Sequence, residues 1–142
     1  MRFFFDANLP PTLPEALHIL HKTAPVHAEV SYIPDLFGDG ASDEEWISGI
    51  AEDGPATIIT CDHQIHKRSD QRLLYQEAGL GLVVLKPPSK KGLPYWQMVQ
   101  KIIKHWEEII ETANNTPKPY LFLISVSGRT ELKYDGRNCR DK

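Results

Sequence analysis

The chain alternates short, mostly apolar runs with longer segments whose apolar residues recur every three or four positions. Residues 2–6 (Arg-Phe-Phe-Phe-Asp), Ala56–Thr60, Gly81–Leu85 and Tyr120–Ile124 are runs of the first kind. Runs that short and continuous predict strands buried on both faces, because a core helix needs more length. Pro25–Val30 is a weaker strand candidate. Helical spacing begins at Leu9 and lasts to about His21, with Leu13, Ala16, Leu17 and Leu20 on one face. It returns after Ser42, which with Glu45 makes a capping box ahead of a stripe of Trp46, Ile47, Ile50 and Ala51. A polar helix is predicted from about Ser69 to Ala78. The longest runs from Tyr95 to Ala113, its stripe being Val99, Ile102, Ile103, Trp106, Ile109 and Ile110. Trp46, Trp96 and Trp106 lie on such stripes and read as core rather than as base-stacking platforms.

Between these elements stand breakers. Tyr32–Ala41 reads as a loop, because Pro34, Gly38 and Gly40 interrupt it and Asp35 and Asp39 favour turns. Gly54-Pro55, Gly79 and Pro87-Pro88 end the elements before them, Ser89-Lys90-Lys91-Gly92 is a basic loop, and Asn114-Asn115 is a turn. From Glu131 the pattern alternates weakly, and 135–142 reads as a frayed end. Strands and helices in alternation, with continuous apolar strands, predict an α/β fold: a three-layer αβα sandwich around a mostly parallel sheet. A length of 142 residues suits one domain. Its core pattern occupies 1–88, and further helix and strand elements occupy 94–134.

Charge sharpens the picture. Residues 1–85 hold 5 Lys+Arg against 13 Asp+Glu, a balance of −8; residues 86–142 hold 11 against 6, or +5. That asymmetry is either ordinary solubilising charge or an acidic pocket for cations with a basic flank for phosphates. Cys61 and Cys139 are too far apart in sequence to suggest a disulfide framework, so a reducing, cytoplasmic setting is expected. The start lacks the pattern of a signal peptide, and no apolar run approaches the roughly 20 residues of a membrane helix.

The candidate chemistry lies at strand ends. Asp6 and Asp62 each follow an apolar strand, and Asp43 opens the helix before the second of them. In an open parallel sheet the carboxyl ends of strands share one edge, where ligands bind. Three carboxylates gathered there repel one another, and a hard divalent cation such as Mg²⁺ removes the conflict. Each also has a plainer reading: Asp43 complements a helix dipole, Asp62 fills a turn, and Asp6 is a strand-end acid. Lys67 and Arg68 are candidates for phosphate contact or simply a solvated surface. Cys61, His63 and His66 have zinc-like spacing without an evident fourth ligand. His18, His21, His27 and His105 read as surface or core-edge residues.

The stretches Phe4-Phe5-Asp6-Ala7-Asn8-Leu9-Pro10-Pro11, Asp35-Leu36-Phe37-Gly38, Ser42–Ile47 and Ile59-Thr60-Cys61-Asp62 together resemble the PIN-like nucleases. Within them the pattern is most similar to the PIN-like toxins of VapBC-type toxin–antitoxin pairs. The resemblance covers residues 1 to about 88. It implies a Mg²⁺- or Mn²⁺-dependent endoribonuclease, the toxin of a type II pair, with Asp6, Asp43 and Asp62 as catalytic metal ligands. Asn8 matches a polar position that orients the first acid. The family's second acid has no clear counterpart; Asp39, Glu44 and Asp35 are the substitutes. RNA is the implied substrate and a cognate antitoxin the implied partner, and part of the Trp106 stripe could serve a homodimer. Two alternatives remain. One is a PIN-like binding module without catalysis, supported by the missing acid. The other is a receiver-like phosphoacceptor, weakened because Asn8 is not an acid and only Lys86 stands at a strand end.

Overall fold

The computed structural model describes residues 1–62 and 69–138. Strands β1 (Arg2–Phe5), β2 (Glu29–Tyr32), β3 (Thr57–Cys61), β4 (Gly81–Leu85), β5 (Tyr120–Ile124) and β6 (Thr130–Tyr134) form one sheet in the order β2-β1-β3-β4-β5-β6. The first five run parallel, and β6 lies antiparallel on β5. Helices α1 (Thr12–Leu20), α2 (Ile33–Phe37), α3 (Asp43–Glu52), α4 (Ser69–Ala78) and α5 (Tyr95–Asn115) connect the strands.

Strand alternation sorts the side chains into two cores. Phe3 and Phe5 of β1 and Ile59 and Cys61 of β3 face α1 and α5, against Leu13, Leu17, Ile102 and Trp106. Phe4 and Ile58 face the other way, against Ile33, Trp46, Ile47, Ile50 and Tyr75 of α2, α3 and α4. The molecule is therefore the expected three-layer α/β sandwich. On the first face Trp106 packs its ring 4.9 Å from that of Phe3 and donates its indole N–H to Nε2 of His21 at 2.9 Å. His21 Nδ1 lies 2.8 Å from the carbonyl of Val26, so this imidazole is a buried link between α1, the following loop and α5. His105 is buried as well, between the carbonyls of Lys101 and Gly128. Both histidines lie deeper than surface or core-edge positions.

The structure corrects the sequence reading elsewhere. The 32–41 segment is not all loop: Pro34 sits in the first turn of α2, where its missing N–H costs nothing, and Ile33 anchors the helix in the core. The strand expected at 25–30 is shifted to Glu29–Tyr32, where it pairs with β1 from Arg2 to Phe5. Helix α1 starts at Thr12, because Leu9 is taken up in a turn that donates its N–H to the carbonyl of Asp6. Ala16, Leu20 and Ile103 lie on exposed surface, and Asn114-Asn115 continue α5. Trp96 is 69% exposed and does not belong to the core.

The weakly alternating end forms β6, an edge strand whose Lys133 and Glu131 pair at 3.3 Å on its open face. Residues 135–138 are not frayed. Gly136 donates its N–H to the carbonyl of Pro117, and Asp135 accepts from the N–H of Arg137. Among the described residues no helix is long and apolar enough to cross a membrane.

Candidate active site

Because β1 to β5 are parallel, their carboxyl ends share one edge, and α3 begins over that edge before running back to feed β3. Asp6 follows β1 directly, and its N–H still joins the ladder by donating to the carbonyl of Ile59 at 3.0 Å. The register sets Phe5 opposite Ile59, so Asp6 stands beside Thr60. By alternation these two share the face of Phe4 and Ile58, the one covered by α3 and α4. Thr60 donates its hydroxyl to Oδ2 of Asp6 at 3.0 Å, and the N–H of Ala7 donates to Oδ1.

Asn8 braces this pair from behind. Its Nδ2 donates to the Thr60 hydroxyl at 3.3 Å, and its Oδ1 accepts the N–H of Cys61 at 3.1 Å. The amide therefore orients Asp6 through Thr60 rather than by direct contact. Thr60 is the residue that the sequence reading missed. Its signal was available, since it lies two positions before Asp62 on the same side of the strand, but only the β1–β3 register identifies its partner.

Asp43 opens α3, where Ser42 caps the helix by accepting the N–H of Glu45 at 3.2 Å. Asp62 follows β3. Burial is the main cause that pushes the Asp6 carboxyl above its ordinary range, and the negative charges of Asp43 and Asp62 push it the same way. The Thr60 and Ala7 hydrogen bonds oppose that shift without cancelling it. Tyr75, buried on α4 with its ring 6.0 Å from that of Trp46, has its phenol raised first by burial and then by Asp6, Asp43 and Asp62 together. Three acids far apart in the chain thus share one electrostatic neighbourhood, which reaches the buried Tyr75.

The substitutes for the second acid are arranged differently. Asp39 and Asp35 act on the phenol of Tyr32, whose pKa is raised mainly by burial and which also senses Asp6. Tyr32 donates its hydroxyl to the carbonyl of Ala7 at 3.4 Å. Glu44 is exposed in the first turn of α3. Among the described residues, the acids that act on the Asp6 carboxyl are Asp43 and Asp62.

A family model described as a PIN-like domain matches residues 1–87. The chain belongs to the PIN-like domain family. Comparison with curated proteins and with solved structures returns no match. PIN-like domains are commonly nucleases, which agrees with an acidic edge on a parallel sheet.

The donor set of this PIN-like chain suits a hard cation in kind. Asp6, Asp43 and Asp62 offer only carboxylate oxygens, and the raised Asp6 carboxyl is a cost that a cation would relieve. Among the described residues no three His, Cys, Asp or Glu side chains stand as a ready-made metal cage. Mg²⁺ does not require one, since it keeps waters and takes a few carboxylates together with substrate phosphates. The zinc alternative loses its sulfur ligand: Cys61 faces the α1–α5 core, and burial pushes its thiol up to about 11. His63, His66, Lys67, Arg68 and Cys139 lie outside the described residues.

Proposed function

We propose that this PIN-like protein is a divalent-metal-dependent endoribonuclease acting as the toxin of a type II toxin–antitoxin pair. The observation that carries the reading is Asp6, partly buried at the carboxyl edge, held by Thr60 and Ala7 and acted on by Asp43 and Asp62. When bound, Mg²⁺ or Mn²⁺ supplies Lewis-acid polarisation of a phosphate oxygen and acidifies water. The chain's own part is positional. Asp6, Asp43 and Asp62 hold the cation, with Asp39, Glu44 or Asp35 as the further acid. Thr60 and Asn8 fix the Asp6 carboxylate in one orientation, so its alignment does not have to be recovered at each turnover. Lys67 and Arg68, two cations shortly after Asp62 in sequence, are assigned to backbone phosphates. Cognate antitoxin would silence the site with a basic side chain, Arg being suited to bidentate carboxylate contact.

Purified protein should cut RNA with Mg²⁺ or Mn²⁺ and stop in EDTA, and Asp6→Asn should abolish cutting while keeping the fold. Undiminished cleavage in EDTA would remove the reading. Growth arrest on expression, relieved by the product of an adjacent small reading frame, tests the toxin assignment separately. A second reading, a PIN-like module that binds without turnover, draws on the missing second acid: among the described residues only Asp43 and Asp62 act on the Asp6 carboxyl. Calorimetric metal binding with no cleavage of total RNA would decide for it.

A further inference from the structure

The basic loop Ser89–Gly92 joins β4 to α5 at the carboxyl edge of the sheet and carries none of the acids described above. A cavity of about 350 Å³ brings the two together, its lining including Asn8, Asp62, Ser89, Lys90, Lys91 and Met98. The loop is a closed turn: Gly92 donates its N–H to the carbonyl of Ser89 at 3.0 Å, and the backbone N–H of Lys91 donates to the Ser89 hydroxyl at 3.3 Å. Two cations are thereby held across a polar gap from Asp62. Ligand pockets run from roughly 300 to 1,000 Å³, so this one has room for a single small polar group rather than a long segment of polymer.

The start of α5 adds a second feature. Tyr95 and Trp96 are 48% and 69% exposed, with their rings edge-to-face at 5.0 Å. The Tyr95 hydroxyl lies 3.3 Å from that of Thr12, tying the start of α5 to the start of α1 beside the Asp6–Pro11 loop. A large indole left in water at this edge, a few residues after two lysines, is the combination that single-stranded nucleic acid binders use: cations for the backbone and an aromatic face for a base. Duplex RNA does not offer its base faces in this way.

We propose that the cavity and Trp96 form a flanking subsite for single-stranded RNA. Lys90 and Lys91 bind the backbone phosphate next to the one at the acids, and the base of that nucleotide stacks on Trp96. The division of charge then has a use: the acidic edge alone would repel the strand, and the basic loop holds it there. This subsite rests on the nuclease reading for its substrate.

The test is fluorescence anisotropy of a labelled single-stranded oligoribonucleotide with the full chain in EDTA, between 50 and 200 mM salt. Lys90→Ala/Lys91→Ala should lower the slope of log affinity against log salt by roughly 0.7, the value for one lost single-strand phosphate contact. Trp96→Ala should weaken binding at least about fivefold, and Trp96→Phe should recover most of it. All three residues are exposed, and melting curves should be unchanged.

An unaltered slope and affinity in these variants, or no binding by the wild type at 50 mM salt, overturns the subsite. If Trp96→Ala leaves RNA affinity intact but lowers the oligomeric mass, the indole belongs to a protein interface and the stacking assignment fails. Binding is read without turnover, so the two proposals fail separately. Lysine-dependent binding by a protein that never cleaves sinks only the nuclease reading. Cleavage by a protein whose binding ignores Lys90 and Lys91 sinks only this one.

Discussion

Thr60 donates its hydroxyl proton to Oδ2 of Asp6 at 3.0 Å, across 54 positions of sequence and between two neighbouring parallel strands. That one bond joins the ends of β1 and β3 at the point where the acids gather. Asn8 donates to the same hydroxyl, leaving its proton for Asp6.

Thr60→Val keeps the β-branched shape of the strand and removes the donor. The hydrogen bond lowers the Asp6 pKa, so its loss should raise it. The acid limb of the cleavage pH profile should then move up, and activity near neutrality should fall by about tenfold through lost positioning of the carboxylate. Thr60→Ser should restore both. A loss of activity with an unmoved acid limb would mean that Thr60 serves packing alone.

Asp6 should oppose folding at neutral pH. Its folded pKa lies above the ordinary 3.8, so the folded state holds the proton more tightly than the unfolded chain does. The stabilising contribution is complete below the unfolded pKa and is lost as pH rises through the folded one. Asp6→Asn should therefore melt above the wild type at pH 7, with the gap closing as pH falls below about 4. The amide can be accommodated: its oxygen takes the Ala7 N–H, its NH₂ donates to the Thr60 hydroxyl, and that hydroxyl turns to Asn8 Oδ1 at 3.4 Å. Mg²⁺ should stabilise the wild type, by about 2.7 kcal/mol at a hundred times its Kd, and the variant much less. Calorimetric scans across pH with and without Mg²⁺ check both statements, and a variant that melts lower at pH 7 contradicts the first.

Two closely packed glycines, Gly81 buried and Gly49 partly exposed, should differ in what an added methyl does. A Cβ at Gly81 would stand 2.4 Å from the Tyr120 ring, which is fully buried and fixed by a 2.6 Å hydrogen bond to Thr57. A Cβ at Gly49 would meet Phe37 at 2.6 Å, but Phe37 is only partly buried at the end of α2 and can turn aside. Urea denaturation should show Gly81→Ala losing about 3 kcal/mol and Gly49→Ala about 1 kcal/mol or less, in line with the cost of overpacking a rigid rather than a yielding site. Equal losses would mean that Tyr120 is free to shift.

Much of this arrangement is legible in the residues alone. The runs at Phe3–Phe5, Ile58–Ile59, Leu82–Leu85 and Leu121–Ile124 can be little other than strands covered on both sides, and they are. The helix N-cap at Ser42 is formed as the spacing implies, its hydroxyl accepting the Glu45 N–H. Helix α2 escaped notice because five residues with a proline inside them carry no helical period; burial of Ile33 supports it from outside. Trp96 misled for the opposite reason. It falls within the longest apolar period, yet its direction on the first turn of α5 leaves it in water.

What the sequence determined by itself was the set of strands and helices and the acids at their ends, because burial periodicity and capping are local properties of the chain. What only the tertiary structure decided was which of those acids act on one another, and through which neighbours. Strand order and register are set by packing between distant segments. They put Thr60 beside Asp6, Tyr75 within the field of three carboxylates and Asp62 on the same cavity as Lys90 and Lys91, and no local pattern encodes those relationships.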